Sequence, residues 1–209
     1  RTLGDSQIHI DDLDALVPVD VPLIEIHITP PTDVIKKIGQ NIAALVEDGS
    51  TVEFGIGSIP QAVLEYLKGK KDLGIHTEMF SDSIIDLVES GAITGARKTL
   101  DRGRIVASFC MGTQKIYDYI DNNPVFAFHP TEYVNDPSVI SRQAKQVAIN
   151  VALEADLTGQ VCADSLGHDF FSGIGSQVDF IRGAARAKNG RPIIALPSTA
   201  CDGTVSRIV

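Results

Sequence analysis

Thr51-Val-Glu-Phe-Gly-Ile-Gly-Ser-Ile-Pro60 decides the fold. Residues 51–54 form a short β-rich run, Gly55-Ile56-Gly57 a sharp turn, and Ser58-Ile59-Pro60 a helix start, with serine suited to the N-cap and proline to the first turn. Ile59, Val63 and Leu67 then recur at helical spacing, and Gly69 closes the unit. Upstream, Thr32 and Asp33 are suited to cap a helix over 34–46, with Ile35, Ile38, Ile42 and Leu45 on one face and Gly49 as its stop. Downstream the alternation continues. The pattern predicts an extended run over 73–79, a helix over 81–90 closed by Gly91, strands over 105–110 and 125–128, and a helix near 115–120 between them. A helical stretch is expected around 142–153, leading to Val161-Cys-Ala163. A long loop over 167–175, a helix over 180–188 and a final buried strand over 192–196 complete the pattern. Short strands alternating with helices of about ten residues predict an α/β fold, an open, mainly parallel sheet flanked by helices with right-handed connections.

The chain has 209 residues, 44% hydrophobic and 22% charged, enough to bury a core without disulfides or metals as staples. It carries 27 acidic against 18 basic residues, a formal charge of −9. That balance excludes the broad basic face of a general nucleic-acid binder and leaves an anionic ligand only a local site. No apolar run approaches the roughly 18 residues of a membrane span, so no membrane partner is expected. Cys110, Cys162 and Cys201 lie far apart and outside any CxxC spacing. They read as buried thiols of a reducing compartment, with a cytoplasmic location expected, or a mitochondrial one for a eukaryotic source. Asp11, Asp12, Asp14 and Asp20 lie among Pro18, Pro22, Pro30 and Pro31, so residues 1–30 are expected to be a connector or the end of a preceding unit. The opening at Arg1 and the strand-like ending Ser206-Arg-Ile-Val209 are read as those of a piece of a longer protein, its main unit, 31–209, incomplete at the C-terminus.

Several stretches carry candidate chemistry. In Glu53-Phe-Gly-Ile-Gly-Ser-Ile-Pro60, a strand, two glycines and a helix start present backbone N–H groups to an anion, or form a tight turn with no ligand. Pro60 stands where the dinucleotide fingerprint needs its third glycine, which weakens a nicotinamide reading. In Gly74-Ile-His-Thr-Glu-Met79, Glu78 falls at the carboxyl end of a short strand, the edge where open α/β sheets bind ligands. His76 is two positions earlier, on the same face. Taken alone, Glu78 is equally a solvated or capping carboxylate. The H-x-E pair lacks the P-C-x-x-C string of zinc deaminases, and no other spacing resembles a metal site. In Ser172-Gly-Ile-Gly-Ser-Gln-Val-Asp-Phe180, glycines before a helix aim N–H groups at one point, suited to an oxyanion or simply to a loop that needs positive φ. Asn135, in Tyr133-Val-Asn-Asp-Pro137, is a substrate donor or part of a plain turn. Arg182, Arg186, Lys188 and Arg191 form a basic cluster, either a solubilising surface or a site for a phosphorylated ligand.

Gly55-Ile-Gly-Ser-Ile-Pro60, Leu73-Gly-Ile-His-Thr-Glu-Met79, Val134-Asn-Asp-Pro137, Gly175-Ser-Gln-Val-Asp-Phe180 and Pro197-Ser-Thr199, in that order, resemble the acetyl-CoA hydrolase/transferase family, and within it the 4-hydroxybutyrate CoA-transferase type. The resemblance covers nearly the whole chain. It implies a protein of two α/β domains, of which this chain holds the end of the first and most of the second. It also implies coenzyme A and acyl-CoA as substrates, no tightly bound cofactor, no metal, a short-chain carboxylic acid as acceptor, and association into a homo-oligomer. By motif, Glu78 is the nucleophile that becomes a glutamyl-CoA thioester, and Glu53, Phe54, Gly55, Ile56 and Gly57 are the CoA-binding turn. The N–H groups of Gly175 and Ser176 would stabilise the oxyanion, Ser176 standing where many members have a second glycine, and Ser176 also contacts CoA. Asn135 would position the acyl group, and Lys188 would contact CoA. Ping-pong CoA transfer is the activity implied. Acyl-CoA hydrolysis through the same glutamate and a CoA-binding module without catalysis are the alternatives.

Overall fold

The computed structural model describes residues 1–27, 29–55 and 57–209. Six strands, β1 (Thr51–Phe54), β2 (Gly74–His76), β3 (Ile105–Ala107), β4 (Phe126–Phe128), β5 (Gln146–Val151) and β6 (Arg191–Ala195), form one sheet in the order β6-β5-β1-β2-β3-β4, every pair parallel. Parallel strands need crossovers, and helices supply them: α2 (Ser58–Tyr66), α3 (Ser83–Glu89) and α4 (Gln114–Ile120) after the first three strands, and α5 (Gln177–Arg186) before the last. An additional helix, α1 (Asp33–Leu45), precedes β1. The α/β expectation holds.

Side-chain alternation divides the interior into two layers. Val52, Phe54, Ile75, Ile105, Ala107, Val147 and Ile149 meet the apolar faces of α1 to α4 in the larger core. Val106 and Ala148 face the other way, onto Val134, Ile140, Phe180 and Ala184. On that second side, two single helical turns, Thr131–Val134 and Pro137–Ile140, lie beside α5.

Local signals act largely as read. The Thr32 hydroxyl accepts the Ile35 N–H at 3.4 Å and starts α1. Ile59, Val63 and Leu67 are buried as expected, whereas Leu45 is 43% exposed and Val46 takes its place in the core. Gly57, at φ 121°, is the N-cap of α2 rather than Ser58, a backbone conformation that needs glycine. The 73–79 and 105–110 runs are each interrupted, by Thr77-Glu78 and by Ser108. The 167–175 loop overlaps a small antiparallel pair, Ser165–Leu166 with Asp169–Phe170. The last strand lies at the sheet edge with Arg191 and Pro192 exposed, not fully buried. Cys110 and Cys162 are half-buried and Cys201 is exposed, so none of the three is the fully buried thiol expected.

The main correction concerns 142–153, expected to be helical. Gln146–Val151 is instead β5, next to β1 in the sheet. Val147 and Ile149 are buried on one face and Ala148 on the other, so packing on both sides favours a strand there.

Helices α1 and α2 approach closely at Gly39, where an added Cβ would lie 2.7 Å from the Ala62 Cβ. Ala62 is fully buried, so α2 has no room to yield, and relief would require α1, whose outer face is exposed, to move outward. Gly39→Leu is expected to lower unfolding free energy by about 2–3 kcal/mol through overpacking, measured by urea denaturation. An unchanged midpoint would mean that this contact is not tight.

Candidate active site

Glu78 sits where two neighbouring strands break together. Below it β2 pairs with β3; above it Met79-Phe80 pairs with Phe109-Cys110, again in parallel. The Thr77 N–H donates to the Val106 carbonyl at 3.1 Å, and the Glu78 carbonyl accepts from the N–H groups of Ser108 (2.9 Å) and Phe109 (3.2 Å). The buried Thr77 hydroxyl accepts the Phe54 N–H at 3.3 Å and lies 3.0 Å from the carbonyls of Phe54 and Met79, tying this break to the end of β1. A carboxylate on so firmly held a backbone is aimed before any ligand arrives.

The half-buried Glu78 side chain is gripped at both oxygens. Asn135 Nδ2 donates to Oε1 at 2.9 Å, and Ser176 Oγ donates to Oε2 at 2.7 Å. Asn135 follows the 131–134 turn, and its own N–H closes that turn on the Thr131 carbonyl at 2.9 Å. The buried Asn135 Oδ1 has no hydrogen-bond partner among the described residues. A carboxylate only accepts, which fixes the amide with its nitrogen toward Glu78. Ser176 is the N-cap of α5 at φ −90°, and Gly175 before it is at φ 54°. Serine is therefore unstrained at a position where its backbone N–H serves the helix N-terminus.

Glu53 is the second carboxyl group in this place. It is 2% exposed, and its Oε2 accepts from the Ile149 N–H (3.0 Å) and Asn150 Nδ2 (2.9 Å), bridging the ends of β1 and β5. Burial pushes its pKa up to about 8, opposed by those two donors and assisted by the charge of Glu78.

Both carboxyl groups line a cavity of about 300 Å³ at the carboxyl edge of the sheet, with Phe54, Gly55, Asn150 and the segment 172–177. The chain steps outward from β1 to β4 and then crosses back to place β5 on the other side of β1. Open α/β sheets bind ligands at such a reversal of strand order.

The cavity gathers six of the expected residues: Glu53, Phe54, Gly55, Glu78, Gly175 and Ser176. Asn135 joins them through Glu78. Ile56 lies outside the described residues, and Gly57 caps α2 without lining the cavity. Lys188 is not brought to the cavity. It is exposed beyond the far end of α5, where its carbonyl accepts the Lys145 N–H at the start of β5. Ser176 starts this ten-residue helix, about 15 Å long, so Lys188 falls at the opposite edge of the sheet. Arg182, Arg186 and Arg191 are also exposed and outside the cavity lining. Thr77, Asn150 and Gln177 were not foreseen. The Gln177 Nε2 donates to the Val151 carbonyl at 3.0 Å and ties the start of α5 to the end of β5. Among the described residues, no group of three or more His, Cys, Asp or Glu is arranged to hold a metal ion.

Residues 112–209 match the acetyl-CoA hydrolase/transferase C-terminal domain. The chain is 52% identical over 208 residues to the 4-hydroxybutyrate coenzyme A transferase of Clostridium kluyveri, covering all of this chain and 48% of that protein. It is 50% identical over 200 residues to the succinyl-CoA:acetate/propanoyl-CoA:succinate CoA transferase of Fasciola hepatica, covering 94% and 42%. The crystal structure of 4-hydroxybutyrate CoA-transferase from Porphyromonas gingivalis superposes with a TM-score of 0.87 at 44% identity, covering 99% of this chain and 49% of that one. The chain thus spans about half the length of the relatives it matches. With its second half matching the family's C-terminal domain and about half its residues identical to a transferase along its whole length, the chain belongs to the acetyl-CoA hydrolase/transferase family.

Proposed function

We propose that the protein carrying this chain transfers coenzyme A between a short-chain acyl-CoA and a carboxylic acid, with Glu78 as the nucleophile. The observation that carries the reading is the Glu78 carboxylate itself: half-buried, held by Asn135 and Ser176, and facing a cavity at the strand-order reversal. Relatives named as CoA transferases support the reaction class.

The chemistry follows from the groups present. A Glu78 oxygen attacks the thioester carbonyl carbon, the carbon–sulfur bond breaks, and CoA leaves as thiolate from a mixed anhydride. The thiolate then attacks the Glu78 side-chain carbonyl, the bond to the acyl oxygen breaks, and the first acid departs as carboxylate. Coenzyme A is now a thioester of Glu78. A second carboxylate reverses both steps, so the thioester bond energy is kept and the kinetics are ping-pong. The N–H groups of Gly175 and Ser176, residues that line the cavity at the start of α5, are the donors assigned to each tetrahedral oxyanion. Removal of water from the carboxylate raises its reactivity, and partial burial supplies part of that effect.

Full-length protein incubated with an acyl-CoA and then with borohydride is expected to yield a reduced side chain at Glu78 alone. Paired with acetate, butyrate, hydroxybutyrate and succinate, it is expected to form new acyl-CoA only with an acceptor present. Steady CoA release without acceptor would point to hydrolysis, and labelling elsewhere would overturn Glu78 as nucleophile.

A further inference from the structure

His76 lies beneath the site, at the end of β2 and fully buried. Its Nε2 is 2.8 Å from the Val134 carbonyl, and its ring centroid is 6.1 Å from that of Tyr133 and 6.1 Å from that of Phe180. A carbonyl only accepts, so Nε2 carries the proton and Nδ1 holds a lone pair. Nδ1 is buried and meets no hydrogen-bond partner among the described residues. Burial also pushes the ring's pKa down to about 4, so the imidazole is neutral under ordinary conditions and remains a donor at Nε2.

We propose that His76 is a positioning residue that sets the Asn135 amide against Glu78 by holding the Val134 carbonyl. The inference rests on Glu78 as nucleophile and deepens that reading. The 131–134 turn is four residues long, too short to be stable by itself, so its placement depends on what grips it. Val134 packs into the second core, and among the described residues two side-chain bonds orient the turn: His76 to the Val134 carbonyl, and the Tyr133 hydroxyl to Asp101 Oδ2 at 2.9 Å. The next residue after Val134 is Asn135, whose amide returns to Glu78, two positions beyond His76. His76, Val134, Asn135 and Glu78 thereby close a ring of contacts, and a shift at any member moves the carboxylate relative to the cavity. An apolar side chain would pack equally well against Tyr133 and Phe180 without burying an unpartnered nitrogen. What imidazole adds at that cost is one directed hydrogen bond, and that bond leads to Asn135.

The test uses the full-length protein. Leucine at position 76 keeps the packing and removes the donor, while glutamine places an amide nitrogen the same number of bonds from Cα as Nε2. His76→Leu is expected to lower kcat for CoA transfer roughly 10- to 100-fold, the effect of displacing a reacting group by about 1 Å, with KM for acyl-CoA within about two-fold of wild type. His76→Gln is expected to recover most of that loss. In an Asn135→Ala background, His76→Leu is expected to cost less than about two-fold more, because its path runs through the amide already removed. Full activity in His76→Leu, or losses that multiply with those of Asn135→Ala, would overturn the proposal. Should His76→Leu fail to fold, His76→Asn is one bond too short to reach Val134 and replaces it in the comparison with His76→Gln; equal kcat in those two would also overturn it. Failure of the underlying reading is separate, since turnover by Glu78→Gln would refute the nucleophile whatever position 76 does.

Discussion

Glu78→Gln is expected to lower kcat for CoA transfer by at least about a thousand-fold, because an amide cannot form the anhydride through which both half-reactions pass. The substitution is nearly isosteric, and the surrounding donors accommodate it. Asn135 Nδ2 offers only hydrogens, so the glutamine oxygen turns toward it and the new NH2 faces Ser176 Oγ, which changes from donor to acceptor. Both contacts persist, and the thermal midpoint is expected to stay within a few degrees of wild type. Binding of CoA is expected to change only a few-fold by calorimetry, since the cavity walls remain. Borohydride labelling should disappear together with exchange. A variant that retains turnover, or that loses activity only in proportion to unfolding, would show that Glu78 is a structural carboxylate. Ser176→Ala does not report on this point, because it leaves the nucleophile and the backbone N–H in place.

The unit around β1 was legible because its signals are local: an apolar run, two glycines, and helical spacing at Ile59, Val63 and Leu67. Gln146–Val151 was not, because a parallel strand buried on both faces shows no alternation, and the Ala, Leu and Glu that follow it favour helix. That one misreading hid the strand beside β1, the reversal of strand order and Asn150 together. Glu78 presented a different difficulty. Its two donors lie 57 and 98 positions away in the chain, so spacing could not distinguish it from the other acidic residues, and only the ordered family strings singled it out. Lys188 shows the converse. A matched string carried it toward the site, but a helix that begins at Ser176 ends at the opposite edge of the sheet.

Glu53 had been read as part of a ligand turn, and its burial gives a pH dependence with a definite sign. In the folded protein it keeps its proton up to about pH 8, whereas the unfolded chain releases it near 4.5. Between those values the folded state binds more protons, so Glu53 makes stability fall as pH rises. His76 acts oppositely, since its folded pKa near 4 lies below the unfolded 6.5 and stability rises through that window. The two oppose each other from pH 4.5 to 6.5, and from 6.5 to 8 the Glu53 contribution stands alone. Lys98, buried with its ammonium 2.8 Å from the Ile75 and Arg104 carbonyls, is lowered from 10.5 to about 8 and makes stability rise again above that pH. Stability is therefore expected to pass through a minimum near pH 8. Glu53→Gln removes the titration and keeps an oxygen for Ile149 and Asn150, so its stability is expected to stay flat over the same interval. The difference between the variant and wild type, which cancels every group the two share, should grow by about 2 kcal/mol from pH 6.5 to 8 in the variant's favour, read from urea midpoints. Parallel curves would mean that Glu53 is ionised in the folded protein. A negative charge at Glu53 would then face the cavity, and the anionic acceptor acid would approach the Glu78 thioester against that added repulsion.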